Sequence, residues 1–334
     1  MNKLNDIFYE YNADFHSVLK NMLPDNNVWK VYCPLEKNYL NQYTPAPYLG
    51  GKEKTVIYST RVGWGVEMTI HHILSLHYSN SGAIKNEFRV DDNFLSQIDF
   101  DDLKFFISTL IYKKFNWVNI DAITDIFNQV LIFIDFFKKA INQYPKIRRS
   151  DIVFKPVFGK IINGSEADLY IDNMIIDFKS SKKPQITLEN KTQLYGYALA
   201  AMISQIIDVE KYDKSGIHGA SAGGNGPFRY IKNDITSIGF YRSRYGDLHY
   251  LILSDLEASK IVNDLITYRN CCLNRHKAGI KLIIKGSDSR GPLPKEAEQE
   301  LRTEFKIIED IYSNDLTDEK IVNYTNTHFT NRVR

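Results

Sequence analysis

Three cysteines, Cys33, Cys271 and Cys272, leave no disulfide framework, and no Cys-x-x-Cys pair is present to hold zinc or an iron–sulfur cluster. Charge of one sign is missing too. The 42 Lys and Arg residues nearly balance 40 Asp and Glu, for a formal net charge of +2, so any grip on nucleic acid must come from a local patch. Long apolar runs are absent. VLIFIDFF at 130–137 contains Asp135 and is too short to span a bilayer, so no membrane partner is expected. The opening MNKLNDIFYEYNADF has no basic-then-apolar pattern, and the expected location is the cytoplasm. The glycine-rich stretch SGIHGASAGGNGPF at 215–228 lacks a Gly-Lys-Ser/Thr ending, which excludes a nucleotide-phosphate loop there. His71, His72 and His77 share one segment without His-Glu-x-x-His spacing, so a zinc site is not expected. What the chain does have is apolar mass. Apolar content of 43% with 13% aromatics marks a folded globule of one large domain or two.

Hydrophobic periodicity divides the chain. A helix is expected over 4–22, stopped near Pro24. Residues 31–60 read as loop, with Pro34, Pro45, Pro47 and Gly50-Gly51. Helical spacing follows over 64–78, 101–114 and 120–143, where large apolar residues at helical intervals mark a core first. Strands are expected at 152–158, 167–172 and 174–179, then a helix at 187–207. The stretch 235–254 reads as a hairpin turning at Arg244-Tyr245-Gly246-Asp247. Helices at 255–275 and 295–312 flank a break at 286–294, and the charged tail 313–334 carries no clear pattern.

The segment 164–197, GSEADLYIDNMIIDFKSSKKPQITLENKTQLYGY, concentrates the chemistry. Its apolar residues alternate as two strands of a hairpin, with a turn expected at Asn173-Met174. Asp168 lies on the first strand. Asp177 and Lys179, two apart on the second, leave the sheet on the same face. Two carboxylates can hold Mg²⁺ or Mn²⁺ to polarise a phosphate and activate water, and a lysine can orient that water. A solvated Asp177–Lys179 surface pair is the plain alternative, and it would contribute little. Against it, Ile175, Ile176 and Phe178 make the strand look central, and an acid and a base inside an apolar run need a reason. Gln193 and Tyr197, four apart, share one helix face, although Tyr197 also reads as a core tyrosine with one satisfied hydroxyl. Basic patches occur at Lys146-Ile147-Arg148-Arg149, at Lys155 with Lys160, and at Lys182-Lys183. Arg242, Arg244 and Tyr245 sit near the later hairpin's tip. Each patch reads equally as a solvated loop.

These residues resemble the PD-(D/E)xK nuclease superfamily, in its RecB-like branch. GSEAD at 164–168 is similar to the branch's glycine-rich approach to an Asp, Asp177-Phe178-Lys179 to its D-x-K strand, and Gln193–Tyr197 to its Gln-x-x-x-Tyr helix. Gly63-Trp64-Gly65-Val66-Glu67 resembles its upstream Gly-x-x-x-Glu helix start. The likeness follows motif order over 60–260. It departs at Ser165, where a Gly often stands, and this leaves the role of Glu166 open. The resemblance implies an α/β fold, a restriction-endonuclease-like mixed sheet flanked by helices. It divides the chain into a segment 1–60, a nuclease core 61–275 with a helical insertion at about 80–145, and a helical extension 276–334. It implies Mg²⁺ or Mn²⁺ on Glu67, Asp168, Asp177 and the Phe178 carbonyl, although helix-dipole stabilisation alone would also account for Glu67. Lys179 would orient the attacking water, Gln193 would bond a phosphate or a water, and Tyr197 would place DNA or brace Gln193. Lys182, Lys183, Arg242 and Arg244 would meet nucleic acid. The implied activity is phosphodiester hydrolysis, with DNA ahead of RNA, in genome defence or DNA repair and recombination, with or without a protein partner in a multi-subunit system. A nuclease fold that binds nucleic acid or scaffolds a complex without turnover, and an RNA-cleaving effector, are the alternatives.

Overall fold

The alternating run at 174–179 becomes a central strand because both of its faces find apolar cover. In the computed structural model, residues 17–36, 52–78, 98–149, 152–159, 162, 166–181, 185–209, 231, 234–284 and 294–330 are described. The strands are β1 (Lys30–Tyr32), β2 (Ile152–Phe154), β3 (Leu169–Ile171), β4 (Met174–Lys179), β5 (Ser237–Arg242) and β6 (Asp247–Ile252). The helices are α1 (Lys52–Tyr78), α2 (Phe100–Phe115), α3 (Ile120–Gln143), α4 (Leu188–Ile206), α5 (Ala258–Ile284), α6 (Lys295–Asn314) and α7 (Asp318–Thr325). The sheet is mixed, in the order β1-β6-β5-β4-β3-β2. Among the described strands, β4 and β5 run parallel and the other neighbours antiparallel. Parallel neighbours need a crossover, and α4 lies in it.

Period-two geometry sorts β4 between two cores. Ile176 and Phe178 face a cluster built from α1, α2 and α3, among them Val66, Ile70, Ile107, Ile126, Val130 and Phe133. Ile175 faces a second cluster from α4, α5 and α6, including Leu194, Leu199, Leu265, Tyr268 and Ile308. The result is three layers with helices on both faces of the sheet. Side chains cap the helix starts. Asp99 accepts from two backbone N–H groups of α2, Asn119 from one of α3, and Thr187 and Asn190 form a capping box on α4.

Several boundaries differ from expectation. Lys30–Tyr32, inside a stretch read mainly as loop, pairs with β6, because a three-residue strand is too short to show a period. Helix α1 starts at Lys52, twelve residues before the expected start. Helix α5 runs on to Ile284, across the expected boundary at 275, and α6 packs its Ile308, Ile311 and Tyr312 into the core beside α4. The tail forms α7 where no pattern was legible. Parts of the expected 4–22 helix and of the insertion, the 215–228 loop, Lys160, Lys182 and Lys183 lie outside the described residues. Among the described residues, no helix is long and apolar enough to cross a membrane.

Candidate metal centre at the end of the central strands

The β3–β4 hairpin turns through Asp172 and Asn173, with φ of 49° and 61°. Positive φ at both central residues is the type I′ geometry, whose twist matches that of the strands. The turn is therefore one residue earlier than the expected Asn173-Met174. Ile171 pairs with Met174 and Leu169 with Ile176, so the register continued by one residue sets Asp168 opposite Asp177. The Phe178 N–H donates to Asp168 Oδ2 at 2.7 Å, which holds that carboxylate at the hairpin edge. Asp177 is buried, at 5% exposure, and its Oδ2 lies 2.6 Å from Lys179 Nζ.

Glu67 reaches the same place from α1. A Cβ at Gly63, one turn earlier, would stand 2.9 Å from Ser180 Oγ, just past the end of β4. A Cβ at Gly65 would strike Ile126 at 2.6 Å and Ile111 at 2.9 Å. The two glycines let α1 lie close against the strand end on one side and against α2 and α3 on the other. Such glycines cost helix propensity, and the close packing offsets it.

Lys155 joins the centre from a position outside the D…D-x-K pattern. Its ammonium is in ion-pair contact with Glu67 Oε1 and lies 3.6 Å from Asp168 Oδ1 and 3.7 Å from Glu166 Oε1. Its backbone leaves the strand with φ at 50°, and its N–H donates to the Asp168 carbonyl at 3.1 Å. The sequence offered Lys155 only as part of a basic patch with Lys160; the structure instead turns its ammonium into the acidic cluster.

The carboxylates feel one another. Burial, and then the charge of Asp168, push Glu67 up to about 7 against the pull of Lys155. Burial and Asp168 likewise push Asp177 up to about 6, opposed by Lys179. Glu67 Oε1 and Asp177 Oδ2 are buried, and each has a lysine ammonium against it, Lys155 and Lys179 respectively. Among the described residues, no three His, Cys, Asp or Glu side chains stand close enough together to hold a metal ion. Glu67, Asp168 and Glu166 instead gather around the Lys155 ammonium. By donor chemistry the set suits Mg²⁺ or Mn²⁺, since its atoms are hard carboxylate oxygens, two of them buried against a lysine ammonium that a cation could replace.

Gln193 and Tyr197 form a wall nearby. Gln193 Nε2 donates to Tyr197 Oη at 2.7 Å, and the Tyr197 ring meets Phe158 with centroids 5.5 Å apart. Burial, and then the Asp177 charge, raise the Tyr197 hydroxyl well above its usual range, which places it within electrostatic reach of the centre. The expected arginine contacts take another form. Arg242 pairs with Asp247 and stacks on Tyr245 at 4.4 Å. Arg244 forms a two-pronged pair with Asp125 at 2.6 and 2.7 Å, and its Nε donates to the Ser180 carbonyl at 2.8 Å. Both guanidiniums are committed inside the protein. His71 packs near Phe154, and His72 stacks on Phe106 with centroids 3.9 Å apart. No protein-family model matches this chain, and no curated protein or solved structure matches it either.

Proposed function

We propose that this chain is a Mg²⁺- or Mn²⁺-dependent nuclease whose order α1, β2–β3–β4, α4, β5 is the restriction-endonuclease-like core of a RecB-like enzyme. One observation carries the reading: Asp168 stands opposite Asp177 with Lys179 beside it, and a distant helix delivers Glu67 into the same charge cluster. A divalent ion held by Glu67, Asp168, Asp177 and the Phe178 carbonyl would polarise a phosphodiester and acidify a water. The chain's own residues do the rest. The Phe178 N–H fixes Asp168 Oδ2 and leaves Oδ1 toward the cluster. Lys179, set by the strand's period on the face of Asp177, donates to the attacking water or to charge developing on the phosphate. Gln193, braced by Tyr197, keeps its amide oxygen for a water.

DNA is the first substrate to test, and genome defence or repair the first role. The decisive experiment incubates the purified protein with linear, circular and single-stranded DNA and with RNA, each with Mg²⁺, Mn²⁺ or EDTA. Metal-dependent cleavage that Asp177→Asn abolishes supports the reading. A second reading, a nuclease fold without turnover that binds nucleic acid or scaffolds a complex, has one observation in its favour: a lysine occupies the place where carboxylates gather. Absence of cleavage on all four substrates in both metals would favour it.

A further inference from the structure

The Lys155 ammonium is the point on which the centre's carboxylates converge. Glu67 is in contact with it, and Asp168 and Glu166 lie at 3.6 and 3.7 Å. Lys179 is engaged separately, with Asp177. The Lys155 backbone is strained to make this possible. A non-glycine residue at φ of 50° is disfavoured, and it persists only where its surroundings over-determine it. The side chain is 30% exposed, so a path outward to solvent exists. Three carboxylates share this one ammonium, so a divalent cation that ligates the same oxygens at short range competes for its place directly.

We propose, resting on the metal-site reading above, that Lys155 is a tethered placeholder cation: it occupies the carboxylates in the metal-free protein and is displaced when a divalent ion binds. Without metal, Glu67, Asp168 and Glu166 would repel one another across a partly desolvated gap. The ammonium holds them assembled. With metal, the same ammonium becomes a competitor that must leave. Its departure sets a cost on loading, since a site that is competent only a tenth of the time loses about tenfold in apparent affinity. Lys179 has no such role. Strand geometry keeps it on the face of Asp177, within reach of the attacking water.

The test uses the full chain and Mn²⁺ alone. Amine acylation with mass-spectrometric readout follows each lysine as Mn²⁺ is titrated, with exposed Lys320 as internal reference. Labelling of Lys155 should rise severalfold along the Mn²⁺ binding curve, while Lys179 labelling should not follow it. Asp177→Asn should abolish or strongly right-shift the rise. Lys155→Met, which keeps the apolar stem and removes the charge, should tighten Mn²⁺ binding by about tenfold in calorimetry. If Mn²⁺ binds and Lys155 labelling stays flat or falls, the placeholder role is overturned and the metal site stands. If neither wild type nor Lys155→Met binds Mn²⁺, the metal-site reading fails and takes the proposal with it. The labelling needs no variant, so misfolding of Lys155→Met would not block the test.

Discussion

Two clusters of charged side chains meet the end of β4, and they are built in opposite ways. In one, Asp125 on α3 takes both guanidinium prongs of Arg244, a hydrogen bond from Gln129 at 3.1 Å and another from the Tyr58 hydroxyl at 3.3 Å. Ser243 donates to Gln129 at 2.6 Å, and Arg244 donates to the Ser180 carbonyl. Each of these groups has a directional partner. In the other, four carboxylates, Glu67, Asp168, Glu166 and Asp177, share two lysines, and burial with mutual repulsion raises Glu67 and Asp177 above the ordinary carboxylate range. The first cluster is a brace that ties the helical layer to the 243–246 turn and to the residue after Lys179. The second keeps carboxylates in a state their surroundings disfavour. The first cluster commits its charge to structure, and the second is the one on which the proposed function rests.

Substitution at Asp177 should part the clusters most sharply. Asp177→Asn should lower cleavage by at least about a thousandfold, roughly 4 kcal/mol of transition-state stabilisation, while the thermal midpoint holds or rises. Cleavage at wild-type rate would assign the observed activity to a contaminant. Lys179→Ala should also lose turnover yet keep Mn²⁺ binding, checked by calorimetry beside the cleavage assay.

Arg244→Ala should act on the fold, because it leaves Asp125 buried and unpaired, at a cost of about 3–5 kcal/mol in denaturant unfolding. Replacing both partners together, Asp125→Leu with Arg244→Met, should recover much of that loss. A double variant no better than the single one would show that the brace depends on its charges.

Acidity offers a smaller and more selective comparison. Glu67 titrates at about 7 in the folded protein, against an ordinary 4.5, so between those values the folded state binds more protons than the unfolded state. Stability from this group is therefore present at low pH and is lost as pH rises toward 7. Metal-free wild type should lose up to about 3 kcal/mol relative to Glu67→Gln across that window, with Mn²⁺ flattening the difference at pH 8. Equal pH curves for the two proteins would put Glu67 outside the charge cluster. Glu67→Gln should nonetheless impair cleavage. Helix α1 starts at Lys52, so Glu67 lies mid-helix, where the helix dipole expected to explain it has faded. Unchanged cleavage would put Glu67 outside the metal site. The smallest effect belongs to Tyr197→Phe. It removes the oxygen that Gln193 bonds and should slow cleavage severalfold, by about 1 kcal/mol, without changing metal affinity.

Legibility followed the range of the interaction. The bounds of β4 and α3 came out as expected, since each has a long, clean period and α3 has a capping Asn119. The pairing of Asp168 with Asp177 was nearly readable, and only the turn was displaced by one residue. Three-residue β1 and the early start of α1 were not legible, because short strands and mixed surfaces carry too little pattern. The arginines at the hairpin tip looked free for nucleic acid because Asp125, over a hundred residues earlier, leaves no trace in their local sequence.

By itself, then, the sequence determined the D-x-K face of β4 and the shared helix face of Gln193 and Tyr197. Backbone periods of 2 and 3.6 impose those neighbours whatever the rest of the chain does. Tertiary structure alone decided that Glu67 and Lys155 enter the acidic centre while Arg242 and Arg244 stay out of it. Those placements depend on α1 lying against Ser180 at Gly63, on a left-handed kink after β2, and on α3 presenting Asp125 to the turn. Contacts made across the fold have no local period to announce them.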